Sequence, residues 1–155
     1  MTTTETTYDA GVQAEAVINA PAQRVFDFLT SPEKIPLVMP SLIENTNLPE
    51  PPLQEGSEFT YRYQMYGVIL EGSWIVTALE APTRYEARTT GAGDSLWKYS
   101  LTESGGQTTV ALSVEYRTPQ SALQRFQTAV VQTMNQREAD VYMANLKMVL
   151  EMQDA

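Results

Sequence analysis

Apolar residues recur at every third or fourth position through the last part of the chain, where no proline or glycine follows Pro119. On a helix that turns by about 100° per residue, such positions share one face. The stripe consists of Leu123, Phe126, Val130, Met134, Val141, Ala144, Met148 and Met152, and Arg137 falls on it. The spacing predicts one helix over residues 119–153. That helix is long for a domain of this size, so a large curved surface must receive its apolar face.

Before this helix, apolar and polar residues alternate in short runs that proline and glycine separate. A period of two predicts strands with one apolar face. The runs cover residues 11–20, 41–48, 57–66, 68–79, 83–90, 95–102 and 108–117. Two helix-like segments, 22–29 and 34–39, follow the first run, and a proline-rich loop occupies residues 49–52. The pattern predicts an α+β fold: a curved antiparallel sheet of about seven strands around the long C-terminal helix, with two short helices after the first strand.

The length of 155 residues suits one domain. We expect a flexible polar tail at residues 1–10 and a single domain at residues 11–153. The formal charge of −9 argues against binding to nucleic acid or to anionic lipid, because both require basic side chains. No run approaches the roughly 20 apolar residues of a membrane span, and the polar start does not resemble a secretory signal. We therefore expect a cytoplasmic protein.

The sequence contains no cysteine and no histidine. These absences exclude a thiolate nucleophile, a Ser–His catalytic pair, and a metal site built on sulfur or imidazole. We expect no metal and no cofactor. An enzyme built on this chain would have to use tyrosine, arginine and carboxylate groups.

The order of elements resembles the START-like, or SRPBCC, superfamily, which has the Bet v 1-like, helix-grip fold. The segments that carry the resemblance are residues 17–42, 71–89 and 101–116 together with the final helix. The superfamily includes polyketide cyclases and dehydratases, carriers of hydrophobic ligands and lipid-transfer domains. The resemblance implies a sheet that grips the C-terminal helix around an apolar pocket, with its mouth near the short helices and nearby strand loops. Because these segments are structural, they indicate the fold and leave the function open.

Several aromatic side chains share the inward parity of their strands. They are Tyr61, Tyr63, Trp74, Trp97, Tyr99 and Tyr116. They either fill the core or line a pocket in which hydroxyl groups orient a planar or sterol-like ligand. The predicted ligand-binding set comprises Tyr61, Tyr63, Met65, Trp74, Trp97, Tyr99, Phe126, Val130, Met134, Arg137 and Val141.

Arg137, Tyr63 and Glu71 are the candidate catalytic residues. The helical spacing of Arg137 turns it toward the sheet. Its guanidinium group would bind a ligand oxygen, form a salt bridge with Glu71, Glu115 or the neighbourhood of Glu138, or extend to the helix edge. Glu71 and Lys98 have outward parity, and a reversed register would bring Glu71 into the cavity as a base. A gate is expected at Met39, Pro40, Leu42 and Ile43 with residues 49–53.

Three functions remain open at this point. The first is a non-enzymatic binding or carrier protein for a small hydrophobic, amphipathic or aromatic molecule. The second is a cyclase, aromatase or dehydratase that acts on a polyketide-like substrate in the same cavity. The third is a protein-interaction or accessory module. A second apolar side near the end of the helix suggests contact with the short helices or a homodimer; its residues are Tyr142, Leu146, Val149 and Leu150.

Overall fold

The computed structural model describes residues 8–91 and 93–152. The elements, in chain order, are β1 (Ala10–Ile18), α1 (Ala22–Leu29), a 3-10 turn (Ile35–Leu37), β2 (Leu42–Thr46), β3 (Glu58–Met65), β4 (Val68–Glu80), β5 (Arg84–Gly91), β6 (Ser95–Ser104), β7 (Gln107–Tyr116), α2 (Gln120–Leu123) and α3 (Thr128–Met152). This order confirms the predicted α+β class.

The predicted tail of residues 1–10 overlaps the start of β1. Residues 1–7 lie outside the described part of the chain. Ala10 is the first residue of β1, and the Asp9 N–H donates a hydrogen bond of 3.1 Å to the Tyr116 carbonyl. Strand β1 therefore begins at the last residue of the range assigned to the tail.

The seven strands form one antiparallel sheet in the order β1-β7-β6-β5-β4-β3-β2. A loop over residues 47–57 joins β2 to β3, and short turns connect β3 through β7 as a meander. β1 forms the far edge by pairing with β7, with Val12 opposite Val114. The alternating pattern turns one set of side chains to the concave face, including Leu112 and Val114, which are buried. The predicted inward parity of the strands is confirmed.

The sheet is bent by irregular positions in its strands. The pairing of β4 with β5 shifts register between Val76 and Ala78, and β2 shifts against β3 between Leu42 and Glu44. Bulges of this kind increase local twist and curl a sheet. The curl turns the concave face toward α3.

α3 lies against the β1 edge of the sheet. The Gln132 side-chain amide donates 2.7 Å to the Gly11 carbonyl, and the Lys147 ammonium donates 2.7 Å to the Val17 carbonyl. An edge strand has carbonyl groups without strand partners, and polar side chains of α3 satisfy these two.

On its other side, α3 contacts the connection that leads into β2. Asn145 Nδ2 donates 3.0 Å to the Val38 carbonyl, and Glu138 accepts hydrogen bonds from Ser41. The helix therefore bridges segments at the two ends of the sheet. This position closes the curled sheet over an enclosed space.

The predicted sheet-facing stripe of α3 is wrong. The buried residues of α3 are Val131, Ala139, Tyr142, Met143, Leu146 and Leu150, whereas Val130 is 43% exposed and Met148 is 54% exposed. The physical reason is that apolar residues occur on more than one side of α3, and the buried side also carries Asn and Glu residues with structural hydrogen bonds. The most apolar stripe is therefore not the face that packs.

The predicted continuous helix over residues 119–153 is interrupted. α2 ends at Leu123 and α3 begins at Thr128. The buried Ala122 of α2 packs with Tyr66 and Val131 in a small cluster beside the β3–β4 turn, separate from the main core. The break allows α2 to cover this end of the sheet.

The second apolar side near the end of α3 packs within the described chain. Tyr142, Leu146 and Leu150 belong to the main core, and Arg24 of α1 donates 2.8 Å to the Leu150 carbonyl. This favours the expected contact with a short helix.

No helix in residues 8–91 or 93–152 is both long and apolar enough to cross a membrane.

Candidate functional site

A cavity of about 160 Å³ lies between the concave face of the sheet and α3. Its walls come from all seven strands, from the segment between α1 and β2, and from one face of α3. The lining residues of α3 are Asn135, Glu138, Ala139 and Tyr142. Their spacing of three, one and three residues defines the helix face that lines the cavity.

The sheet side of the cavity is a continuous aromatic surface. The Phe59 and Trp74 rings stack with centroids 6.1 Å apart, and Trp74 lies 5.3 Å from Trp97. The Tyr85 and Tyr99 rings stack at 5.4 Å with an interplanar angle of 14°. The strands β3, β4, β5 and β6 each contribute an aromatic residue at an inward position, so the rings meet side by side. Stacked rings of this kind form a surface suited to a flat apolar molecule.

The inner end of the cavity is formed by Tyr85, Tyr99 and Tyr142, which are 2%, 3% and 1% exposed. The hydroxyl groups of Tyr99 and Tyr142 share a hydrogen bond of 2.7 Å, and the Trp74 indole N–H donates 2.9 Å to the Tyr85 hydroxyl. Burial raises the pKa of all three phenols well above the ordinary value, because a phenolate would lose its solvation. These groups therefore remain protonated at neutral pH.

The part of the cavity wall that α3 forms contains the carboxylate of Glu138. Glu138 Oε2 accepts 2.9 Å from the Ser41 N–H, and Oε1 accepts 2.8 Å from the Ser41 hydroxyl. Burial raises the pKa of the Tyr63 phenol well above the ordinary value, and the negative charge of Glu138 raises it further. Tyr63, Ser41 and Glu138 thus form one polar group beside the aromatic surface.

The outer end of the cavity is more polar. The Tyr116 hydroxyl donates 2.6 Å to Gln132 Oε1, and the Tyr66 hydroxyl hydrogen-bonds to the Asn135 side chain. Arg117 lies 4.0 Å from Asp94 across the cavity rim. Among the lining residues within the described chain, Arg117 is the one cationic side chain.

The structure brings five of the predicted site residues together at the cavity. They are Tyr61, Tyr63, Trp74, Trp97 and Tyr99. Tyr116 also lines it, and so do Met39 and Leu42 from the predicted gate, whereas Pro40 and Ile43 are exposed on the outside. Of residues 49–53, Leu53 is buried in the main core and contributes nothing to the lining. The parity of the strands placed the aromatic residues correctly.

The remaining predicted site residues lie elsewhere. Arg137 is exposed, so the prediction that it faces the sheet is wrong, for the same reason as the stripe. Phe126 and Val130 are also exposed, and Val141 is half-buried outside the cavity lining. Met65 and Met134 pack against the small cluster of Tyr66, Ala122 and Val131.

Glu71 lies on the outer face of the sheet, where its carboxylate accepts 3.0 Å from Arg62. This is the outward parity that its strand predicts. Lys98 and Glu115 are exposed on the same outer face. The reversed register that would have made Glu71 a base is therefore wrong.

Sequence reasoning missed the α3 residues of the site and two of the tyrosines, Tyr66 and Tyr85. Tyr85 has inward parity in β5 together with Ala87 and Thr89, so alternation alone carried the signal. Asn135, Glu138 and Tyr142 also share helical spacing, but two of them are polar, and a search for an apolar stripe passes over them. Tyr66 lies in the β3–β4 turn at φ 59°, where strand parity does not apply.

Within residues 8–91 and 93–152, no three acidic side chains come together as a metal ion would require. The side chains that line the cavity are mainly aromatic and aliphatic, with hydroxyl groups, two amides and the charges of Asp94, Arg117 and Glu138 among them. This arrangement can enclose an apolar body and donate hydrogen bonds to a polar atom attached to it.

A curled seven-stranded sheet closed by a long C-terminal helix over a cavity defines the START-like, or SRPBCC, class of proteins. The chain belongs to the family described as polyketide cyclase / dehydrase and lipid transport, whose sequence profile matches residues 9–151. A search of curated proteins finds no match. The resemblance inferred from the order of elements is confirmed.

Solved structures share this fold. The protein TTHA0849 from Thermus thermophilus superposes with a TM-score of 0.77 at 16% identity, over 94% of this chain and 100% of that one. The Zhui aromatase/cyclase from Streptomyces sp. R1128 gives a TM-score of 0.76 at 13% identity, over 94% and 96% of the two chains. A START superfamily protein from Mycobacterium smegmatis gives 0.75 at 11% identity, over 92% and 98%. At these identities the likeness establishes the fold.

Proposed function

We propose that the protein binds a small, flat hydrophobic or amphipathic molecule in the cavity and acts as a binding or carrier protein. The observation that carries this proposal is the aromatic surface of Phe59, Trp74, Trp97, Tyr85 and Tyr99 beneath α3. The volume of about 160 Å³ is close to the roughly 150 Å³ of an apolar protein cavity that holds benzene. A ligand of one or two rings suits this space.

The protonation of the site favours binding over acid–base catalysis. The phenols of Tyr63, Tyr85, Tyr99 and Tyr142 have raised pKa values, so they can donate hydrogen bonds but are poor bases at neutral pH. Arg137 does not line the cavity and offers no cationic anchor there. The site therefore suits an uncharged ligand held by packing and a few donated hydrogen bonds. The cavity gives no support to the third candidate function, a protein-interaction module with a filled core.

A cyclase, aromatase or dehydratase is the second candidate, and Glu138 is the observation that favours it. Its carboxylate lies in the cavity wall near the Tyr63 phenol. In such an enzyme Glu138 would take a proton from a carbon next to a carbonyl, and neighbouring phenols would stabilise the resulting enolate oxygen. The family description and the Zhui aromatase/cyclase structure are consistent with this chemistry.

Native and denaturing mass spectrometry of purified protein test the proposal. After incubation with 1-naphthol, we expect a one-to-one adduct under native conditions that is lost on denaturation. The variant Ala139→Phe should remain bare, because Ala139 lines the cavity, whereas Ala144→Phe should bind normally, because Ala144 is exposed on the same helix. A bare wild-type mass at saturating probe would contradict the proposal.

The same samples separate carriage from catalysis. Extraction of compounds that co-purify with the protein, followed by re-incubation with it, reveals whether their mass changes. A carrier returns them unchanged. Conversion by the wild-type protein that is lost in Glu138→Gln would instead support the enzyme.

A further inference from the structure

The inner end of the cavity contains more hydrogen-bond donors than the hydrogen bonds formed there use. Trp74 brings one N–H group, and Tyr85, Tyr99 and Tyr142 bring three O–H groups. These four donors make two hydrogen bonds among themselves: Trp74 to Tyr85, and one between Tyr99 and Tyr142. Two hydroxyl hydrogens therefore lack a protein acceptor in the described part of the chain.

The identity of these two hydrogens follows from the bonding pattern. Tyr85 uses its oxygen as the acceptor for Trp74, so its own hydrogen is available. Tyr99 and Tyr142 share one hydrogen bond, in which either can donate, so one of the two keeps an available hydrogen. Tyr85 lies opposite Tyr99 in the pairing of β5 with β6, and their rings are stacked at 5.4 Å. The Tyr142 ring lies 6.4 Å from that of Tyr99, so both available hydrogens belong to one cluster of tyrosines.

Such donors are costly when they remain unpaired away from water. The three tyrosines are almost fully buried, and burial holds their pKa values well above the ordinary range, so the hydrogens are retained. A buried pair of donors without acceptors is a site that a ligand oxygen can complete. A carbonyl oxygen has two lone pairs and can accept from both.

The charge around the site favours an uncharged ligand oxygen. Arg117, the one cationic residue among the described lining residues, lies beside Asp94 at the outer end. Glu138 and Asp94 add negative charge to the cavity wall. A carboxylate or phosphate at the inner end would therefore be desolvated without a counter-charge.

We propose that Tyr85 and the Tyr99–Tyr142 pair form a carbonyl-binding subsite, so that the ligand is a flat aryl ketone, quinone or similar neutral carbonyl compound held oxygen-first at the inner end. This inference rests on the proposed function and specifies the ligand class of the same cavity. The aromatic surface holds the ring body, and the two phenols fix its direction.

Two probes with the same bicyclic skeleton test the subsite. 1-Tetralone carries an aryl ketone, and tetralin is the corresponding hydrocarbon. Calorimetric titration with both probes gives the ratio of their dissociation constants. A change in packing affects both constants alike and therefore cancels in the ratio. We expect Tyr85→Phe to weaken tetralone relative to tetralin by about 3- to 10-fold, the usual effect of one hydrogen bond. Tyr116→Phe is the matched control, because the Tyr116 hydroxyl lines the cavity but donates to Gln132.

The Tyr99–Tyr142 pair adds a distinctive expectation. Loss of either hydroxyl frees the other to donate, so the single variants Tyr99→Phe and Tyr142→Phe should retain most of the preference for the ketone. The double variant should weaken tetralone relative to tetralin by the same factor as Tyr85→Phe. A merely structural role of these residues would weaken both probes together.

Infrared spectroscopy of the wild-type protein gives a readout that does not depend on the folding of any variant. The carbonyl stretch of bound, carbon-13-labelled 1-tetralone should shift to lower frequency than in hexane, because two donors polarise the bond. If both probes bind but the stretch is unshifted and Tyr85→Phe leaves the ratio unchanged, the subsite is refuted while the cavity function stands. If neither probe binds, the proposed function fails and the subsite with it.

Discussion

Gly72 shows how one residue can shape the wall of the cavity. It lies in β4 opposite Gly91, and a Cβ atom at this position would be 2.0 Å from the Thr90 carbonyl oxygen and 2.7 Å from the Tyr61 hydroxyl oxygen. The absent side chain allows the backbones of β4 and β5 to approach and leaves room for Tyr61. Glycine at such a point permits close backbone contact in a bent sheet.

We predict that Gly72→Ala lowers the free energy of unfolding by at least about 3 kcal/mol, because the new methyl group meets backbone that cannot move aside. Gly93→Ala is the control, since a Cβ atom there meets nothing within 4 Å. It should change the free energy of unfolding by no more than about 1 kcal/mol. Urea denaturation measures both, and equal effects would contradict the close approach.

At the scale of elements, α3 determines both the closure of the sheet and one wall of the site. Its buried face carries Tyr142 and Leu146, and the same face carries Glu138, which accepts from Ser41. Polar side chains on this face hold α3 against neighbouring backbone. Its position is therefore set by hydrogen bonds as well as by apolar packing.

Two residues near the end of α3 test this orientation. Leu146 is fully buried and Met148 is 54% exposed. We predict that Leu146→Ala lowers the free energy of unfolding by about 2–5 kcal/mol, whereas Met148→Ala changes it by less than about 0.5 kcal/mol. The helix face predicted from the apolar stripe alone would require the opposite order. Thermal or urea unfolding of the two variants distinguishes them.

The strands were more predictable from sequence than the final helix. In β7 the alternation of Val110, Leu112 and Val114 with small or polar residues admits one inward face, and the structure buries that face. α3 has apolar residues around more than one side, so hydropathy does not fix its rotation. Because the rotation of α3 was uncertain, Arg137 was predicted on the wrong side of the helix and Glu138 was not recognised as a site residue. A charged residue in a cavity wall can be recognised only when its hydrogen-bond partners are known.

At the scale of the whole molecule, buried phenols link the cavity to the stability of the fold. Burial raises the pKa of Tyr66 to about 12 and raises those of Tyr85, Tyr99 and Tyr142 well above the ordinary value. The folded chain therefore keeps protons that the unfolded chain releases above the ordinary tyrosine pKa of about 10. Stability from this source is complete below pH of about 10 and is lost as the pH rises from there through the folded-state pKa values.

We predict that alkaline titration ionises these tyrosines together with unfolding. Phenolate absorbance and near-ultraviolet circular dichroism should change in one shared step above pH of about 10. Tyr85→Phe should reduce the absorbance amplitude of that step by one tyrosine. Ionisation of all the tyrosines before the loss of circular dichroism would contradict their burial.

The binding of a flat molecule within the cavity is the central claim, and the chain contains a reporter for it. Both of its tryptophans, Trp74 and Trp97, line the cavity, so their fluorescence should respond directly to occupancy. The most direct measurement is a titration with 1-naphthol in the wild type, Ala139→Phe and Ala144→Phe, in which tryptophan emission is followed and corrected for absorption by the probe. We predict saturable one-to-one quenching in the wild type and Ala144→Phe, and little response in a folded Ala139→Phe. An equal response in all three proteins, or no response in any, would contradict ligand binding at this site.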